Sequence, residues 1–362
     1  MRQHYVPKTY LKNFAKRSKR EFVVDVYDKL ENRHFKSSTR GILAENDLYT
    51  LDDDNTFYDG DKLIIEKIYS DGIEPLYPKA YKLLTDDQIS RVTDIQRSEI
   101  FVGIFQLYMR NPRFVTESIS YHDNEVSKIY VESLSNGVET IRYGDEVFNL
   151  KKMDLEQIKE ICKNRIIREF QETHLAGTGR ILKFHENAKM EVYKIVDNAE
   201  FLTSDNPLIS LNSVYNNENA LSKSMEFTVP LNKKYALRIL HDNRKENNVI
   251  YRQPILAGNA NSINDDIYQK SRRFVIGSEK TLRDYFRMKK LMESTDLDLK
   301  MNAIRQILNK IPISEENREL MEISKYYLDK YDKEGGLSDK DSLDFDKKIH
   351  RIALEAKKKR TK

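Results

Sequence analysis

Tryptophan is missing from this chain altogether, and cysteine occurs once. Cys162 alone forms no intramolecular disulfide and excludes every Cys-rich zinc arrangement, which fits a reducing compartment. Long apolar runs are missing as well. IFVGIF at 100–105 falls far short of the roughly 20 residues a membrane span needs, and no apolar stretch opens the N-terminus. The expectation is a cytoplasmic protein with no membrane segment. No charge sign dominates either, because 62 Lys and Arg face 58 Asp and Glu for a net charge of +4. Any basic surface therefore has to be local. The excess that stands out is the tail AKKKRTK, Ala356 to Lys362, and such termini are ordinarily solvated. Motifs are scarce too: there is no GxxxxGK[ST] loop, HExxH, GxSxG or kinase signature.

What is present is an alternation of helical and strand patterns. Pro7 suits the start of a short helix, with Val6, Tyr10, Leu11 and Phe14 on one face. EFVVDVYD at 21–28 and HFKSSTR after KLENR predict a hairpin. Thr85 predicts the clearest helix, since TDDQ has the capping-box form; the body runs to about Met109 and ends at the Asn111-Pro112 stop. Residues 118–151 read as polar and mixed, closing in a small hairpin. Asp154 with Gln157 caps a further helix that ends at Gly177 and Gly179. KMEVYKIVD, EFLTSDNPLISL, MEFTVPLN and KKYALRILH predict four strands of one antiparallel sheet. The remainder from Glu279 is helical and charged, with EGGLSDKD at 334–341 as a linker. The expected fold is α+β: a central helical bundle, a short N-terminal β-hairpin, an antiparallel sheet in the C-terminal half, then charged helices. One domain spans 1–280 and a helical extension spans 281–362.

Candidate chemistry rests on isolated polar residues in apolar settings. His4 precedes a helix start, where the positive end of the dipole keeps an imidazole neutral, as a base or metal ligand requires. Gln106 and Arg110 lie in the apolar central helix, and a buried guanidinium needs a partner: a structural salt bridge to Glu74 or Glu99, or an oxyanion. Asp205 and Asn206 in FLTSDNPLI sit at a strand end. Asp205, Glu74 and Glu45 are the carboxylates that suit a hard ion such as Mg²⁺ or Mn²⁺. The acidic run at 52–54 reads as a solvated loop.

HYVPKTYLKNFA, AENDLYT, the IEP stretch, FQLYMRNP, FLTSDNPLI, the later PLN and NDDIYQKSRRF resemble the successive motifs of a bacterial family catalogued as domain of unknown function 4238, over residues 3 to 280. The resemblance places His4, Glu74, Gln106, Arg110, Asp205, Asn206 and Asn264 at motif positions. It implies a soluble bacterial protein of the kind found in anti-phage defence loci. Convergence of His4, Glu74 or Glu45, Gln106, Arg110 and Asp205 would suit a metal-dependent nuclease acting on DNA or RNA, as a defence or toxin-like effector. The alternative is a non-catalytic module that recognises a phage component, a nucleotide or a partner protein, with 281–362 contacting that partner. A third reading makes these residues a buried network that only specifies the fold.

Overall fold

The structure, a computed structural model, describes residues 1–52, 60–212, 223–241, 246–293, 296–310 and 317–359. The chain opens with β1 (Arg2–His4), the one-turn helix α1 (Lys8–Leu11), and strands β2 (Lys16–Ser18), β3 (Glu21–Asp28), β4 (Arg33–Ser38) and β5 (Ala44–Asn46). Helices follow: α2 (Ile64–Lys67) running into a π-helical turn at Ile68–Ile73, then α3 (Leu76–Thr85), α4 (Asp94–Met109) and α5 (Arg113–Ser135). A hairpin of β6 (Thr140–Tyr143) and β7 (Glu146–Asn149) leads to the long α6 (Leu155–His185). The second half holds β8 (Lys189–Ile195), β9 (Thr203–Ser204), β10 (Ile209–Asn212), β11 (Met225–Pro230), β12 (Tyr235–Leu240), β13 (Ile250–Ile255), α7 (Ala257–Lys270) and β14 (Phe274–Gly277). Helices α8 (Glu279–Glu293), α9 (Leu297–Lys310), α10 (Arg318–Glu334) and α11 (Asp339–Lys359) complete the α+β fold.

The main core lies between α3, α4 and α6 and a sheet of order β10-β11-β12-β8-β13. Phe105 and Tyr108 meet Phe227 edge-on at 5.0 and 5.3 Å between ring centroids. Gly103 explains the small residue inside IFVGIF: a Cβ there would stand 3.2 Å from the Leu76 carbonyl carbon and the Tyr77 nitrogen, so α3 and α4 cross at backbone contact. A second sheet, β2-β3-β14-β9 with β4 beside β3, sews the N-terminal hairpin to residues far along the chain. Leu282 of α8 is buried against this sheet, and Phe286 lies 3.7 Å from Tyr27.

Several local expectations are corrected. Thr85 ends α3, its hydroxyl donating to the Tyr81 carbonyl at 2.8 Å. The capping box belongs to Thr93 and Gln96, because TDIQ fits the same form as TDDQ. The intervening segment is drawn extended by the sheet edge: Arg91 bridges Val249, and the Val92 amide donates to the Asn248 carbonyl. Residues 118–135 are helical, a polar helix whose buried contacts shrink to side chains such as Val126. Helix α6 runs through Gly177 and Gly179, since Gly177 packs against Met109, where a Cβ would lie 3.0 Å from its Cε. The large sheet is mixed, not antiparallel, because β13 joins β8 in parallel, and β9 belongs to the other sheet.

Candidate functional site

The N-terminal segment is held by its aromatic and apolar face. The Tyr10 hydroxyl donates to the Pro230 carbonyl at 2.8 Å and stands 2.6 Å from the Thr203 hydroxyl, while Leu11 and Phe14 are buried beside it. The ladder of β1 with β5 sets His4 opposite Ala44. His4 is thereby half-buried at the foot of α1. Burial pushes its pKa down, the positive charges of Lys8 and Arg110 add to that, and the Arg40 backbone and Glu74 oppose it. Its Nε2 is buried and, among the described residues, has no hydrogen-bond partner.

Arg110 closes helix α4 with no side-chain surface left to solvent. Its Nη1 donates to Glu74 Oε1 at 2.7 Å, and its Nη2 donates to the His4 carbonyl. The guanidinium lies 4.1 Å from the Tyr69 ring centroid, and the Arg110 carbonyl accepts from the Tyr49 hydroxyl. This is the structural salt bridge to Glu74 that the sequence offered. It leaves Arg110 Nε buried without a partner among the described residues. Two neighbours that sequence reasoning passed over are in the same condition. Glu66, pushed up in pKa by burial and eased by Arg110, keeps Oε2 unpartnered. His174 stacks on Tyr49 at 5.4 Å and on Phe170 at 4.8 Å, and burial pulls its pKa down to about 4. Its Nδ1 is 2.8 Å from the Phe170 carbonyl, which can only accept, so Nδ1 carries the proton and the unpartnered Nε2 carries the lone pair.

Beside this cluster opens a cavity of about 250 Å³ whose rim carries Lys8, Lys12, Arg20 and Arg40, with Thr9 and Glu74 in its wall. Ser38 and Thr39 add hydroxyls. The Thr9 hydroxyl oxygen is buried and unpartnered among the described residues. Among the described residues none of the four rim cations forms an ion pair, and Lys12 lies 5.3 Å above the Phe22 ring. Chemically, the arrangement offers positive charge and hydroxyl donors to an anionic oxygen, with a neutral imidazole behind them.

The remaining candidate residues do other work. Gln106, buried one turn before Arg110, donates its amide to the Gly103 carbonyl at 3.0 Å. Asp205 is 3 % exposed and accepts three backbone N–H groups, from Arg272 at 2.9 Å, Arg273 at 2.6 Å and Phe274 at 2.8 Å. Burial raises its pKa against the pull of those amides. Asn206 donates to the Lys270 carbonyl, and Asn111 donates to both the Asp205 carbonyl and Asn206 Oδ1. The SDNP stretch thus clips the chain entering β14 to the residue that follows Arg110. Glu45 pairs with Arg272 at 3.3 Å. Among the described residues, no hydrogen bond or ion pair joins Asp205, Asn206 or Glu45 to His4, Glu74 or Arg110, and no three His, Cys, Asp or Glu side chains group to hold a metal ion. The donor set of Glu45, Glu74 and Asp205 therefore does not fit a resident divalent ion. No helix among the described residues is long and apolar enough to cross a membrane.

The signals for the missed residues were in the sequence. Glu66 interrupts the apolar IIEKIY, and His174 follows Phe170 by four, which stacks the two rings on one helix face. A family model described as "Protein of unknown function (DUF4238)" matches residues 2–281. No curated protein and no solved structure matches the chain.

Proposed function

The chain belongs to the DUF4238 family, and we propose that it recognises a phosphate-bearing ligand in the cavity between α1 and the β2–β4 hairpins, as a binding module. One observation carries the reading: Thr9 Oγ1 and His4 Nε2 are buried and unpartnered in and behind the wall of a cavity rimmed by cations without ion pairs. A buried polar atom left without a partner costs about 1–3 kcal/mol, and a tetrahedral oxyanion answers that cost with acceptor oxygens. Arg110 neutralises Glu74, so the carboxylate in the wall does not repel the ligand. An arriving anion raises the pKa of His4, and the ring takes up a proton and donates from Nε2. Binding therefore tightens as pH falls through the His4 transition.

A second reading is favoured by His4 itself. A neutral imidazole with a free nitrogen beside a phosphate pocket is what a general base in phosphodiester cleavage requires. The nuclease reading needs its Mg²⁺ or Mn²⁺ to arrive with the substrate. The defence or toxin-like setting rests on the family resemblance.

Isothermal titration with a 5′-phosphorylated dinucleotide tests the first reading. One saturable site is expected, weakened about tenfold by Thr9→Val and by Arg40→Ala with the melting temperature unchanged. No heat, or variants that bind like the parent, overturns it. End-labelled DNA and RNA incubated with Mg²⁺, Mn²⁺ or chelator test the second. Scission lost in His4→Ala supports cleavage, and intact strands with retained binding reject it.

A further inference from the structure

The stretch KRSKR at 16–20 is the densest basic run within the described residues, and the fold spends it entirely on surface. Lys16, Arg17 and Ser18 form β2, the edge strand of the second sheet, and Lys19 turns the chain at φ 50° into β3. Arg17 stands opposite Phe22 across the hairpin, and Phe22 lines the cavity with Arg20. Arg17 therefore extends the rim charges of Lys8, Lys12 and Arg40 onto the hairpin, while Lys16, one residue earlier in the strand, alternates to the opposite face, where it acts on Glu279.

Exposed cations without an ion pair, such as Lys82, Arg180 and Lys280, also occur elsewhere among the described residues; what sets these apart is that they gather on one hairpin and one cavity rim. Elsewhere Lys36 pairs with Glu279, Lys79 with Glu99, Arg91 with Glu246, Lys194 with Asp87 and Arg351 with Glu319. Along the strip, Lys8, Lys12, Arg17, Lys19, Arg20 and Arg40 form no ion pair among the described residues; Glu21 and Glu74 are the acids that line the cavity with them, and Glu74 is paired with Arg110. Edge-strand protection against unwanted pairing explains Lys16 and Arg17. It does not explain Lys8, Lys12 and Arg40, which stand across the cavity and off the edge.

We infer that this strip is a track for the phosphate backbone of a nucleic-acid strand, with the cavity receiving one of its phosphates. The inference names the polymer to which the ligand of the preceding reading belongs and rests on that reading for the pocket end of the track. A row of cations without internal partners gains its binding free energy by releasing counterions from a polyanion. Phe22 at the pocket lip already carries Lys12 over its ring, so the track is read through phosphates and not through base stacking. An anionic membrane surface fits less well. The exposed large apolar side chains, among them Met1, Leu30 and Ile95, include none from the strip, and without them there is nothing to insert between lipids.

The test is fluorescence anisotropy on the full chain with a labelled 20-nucleotide DNA strand, the same sequence as RNA, and the DNA duplex, from 50 to 200 mM KCl. Neutralising about five phosphates of a single strand predicts a slope of log K against log salt near −3.5. Arg17→Glu with Lys19→Glu should weaken the 20-mer about tenfold or more, and flatten the slope, while the dinucleotide binds within twofold of the parent. Retained dinucleotide binding and melting temperature report a folded variant, and Arg17→Gln with Lys19→Gln supplies a milder change of the same sign. Affinity for the 20-mer unchanged within twofold overturns the inference. So does sedimentation with phosphatidylcholine–phosphatidylglycerol vesicles in preference to binding the 20-mer. A strip variant that loses the 20-mer while the parent ignores the dinucleotide leaves the track standing and removes the pocket reading.

Discussion

Helix α4 carries a buried arginine near each end, and the two ends are finished differently. At the start, the capping box of Thr93 and Gln96 satisfies the first amides, and Arg97 donates to the carbonyls of Glu186 at 2.7 Å, Ala188 and Asn247. No acid neutralises Arg97, so burial pulls its pKa down to about 10, with Asp94 pulling back. Each of its nitrogens has a partner, and it bolts α4 to the chain entering β8 and to the loop before β13. At the other end, Arg110 has its acid, Glu74, which lines the open cavity, yet Arg110 Nε, Glu66 Oε2, His174 Nε2 and His4 Nε2 are buried without partners among the described residues. Completeness marks the structural end, and unspent hydrogen-bonding capacity marks the end that can accept a ligand.

Substitution of the two arginines breaks this comparison most sharply. Arg97→Met strands one buried carbonyl, that of Ala188, and two part-buried ones, and should cost about 2–4 kcal/mol in urea unfolding, with dinucleotide binding retained in the folded fraction. Arg110→Gln should cost less, because Glu74 still meets water at 18 % side-chain exposure, and should weaken the dinucleotide as well. Equal stability losses with equal binding would show that the two ends are alike.

Next in size is a pH effect confined to the Arg110 end. His174 ionises near pH 4 in the folded chain against 6.5 for a free imidazole. Its neutral form is the one the fold accommodates, so its stability is complete above pH 6.5 and is lost as pH falls toward 4. The loss amounts to about 3 kcal/mol. Denaturant melts of the parent and His174→Gln should converge as pH drops through that window; parallel curves would refute the assignment.

The capping box gives a smaller effect. Thr93→Ala should destabilise by about 1 kcal/mol, and Thr85→Ala by only a few tenths, since its hydroxyl makes a back-bond inside α3. The smallest change is at the pocket: Thr9→Val should leave stability unchanged or raise it by up to about 1 kcal/mol, because its buried hydroxyl has no partner to lose. A measurable loss would mean that Thr9 is bonded in solution without ligand.

Those caps show how far the sequence could be read. TDDQ and TDIQ are equivalent as strings, and only the edge pairing of residues 91 and 92 with 248 and 249 decides between them. Gly177 looks like a stop until Met109 is found against it. Strand β13 reads as part of no antiparallel pattern because its partner lies in parallel across the loop. The site was legible in part. Glu74 was one of two acids that sequence reasoning set against Arg110, and His4 was singled out for its place before α1. Asp205 was chosen for the wrong kind of reason: an acid in a turn looks like a ligand, yet its oxygens accept the amides of residues 272 to 274, a contact between distant parts of the chain that no local pattern carries. The KRSKR run was visible throughout but vanished in a balanced total charge.

The second sheet has a consequence for how the protein is made. Strand β3 is completed by β14, and Asp205 clips the turn into β14 just before the family match ends at residue 281. During synthesis the N-terminal hairpin leaves the ribosome first and waits, one edge open, for about two thirds of the chain to follow. The part of β3 from Asp25 to Asp28 therefore lacks a partner on one side until Phe274 to Gly277 dock. A product that stops before Phe274 should expose that strand edge to chaperones or aggregation, so the sheet stays incomplete until the family core is nearly all translated.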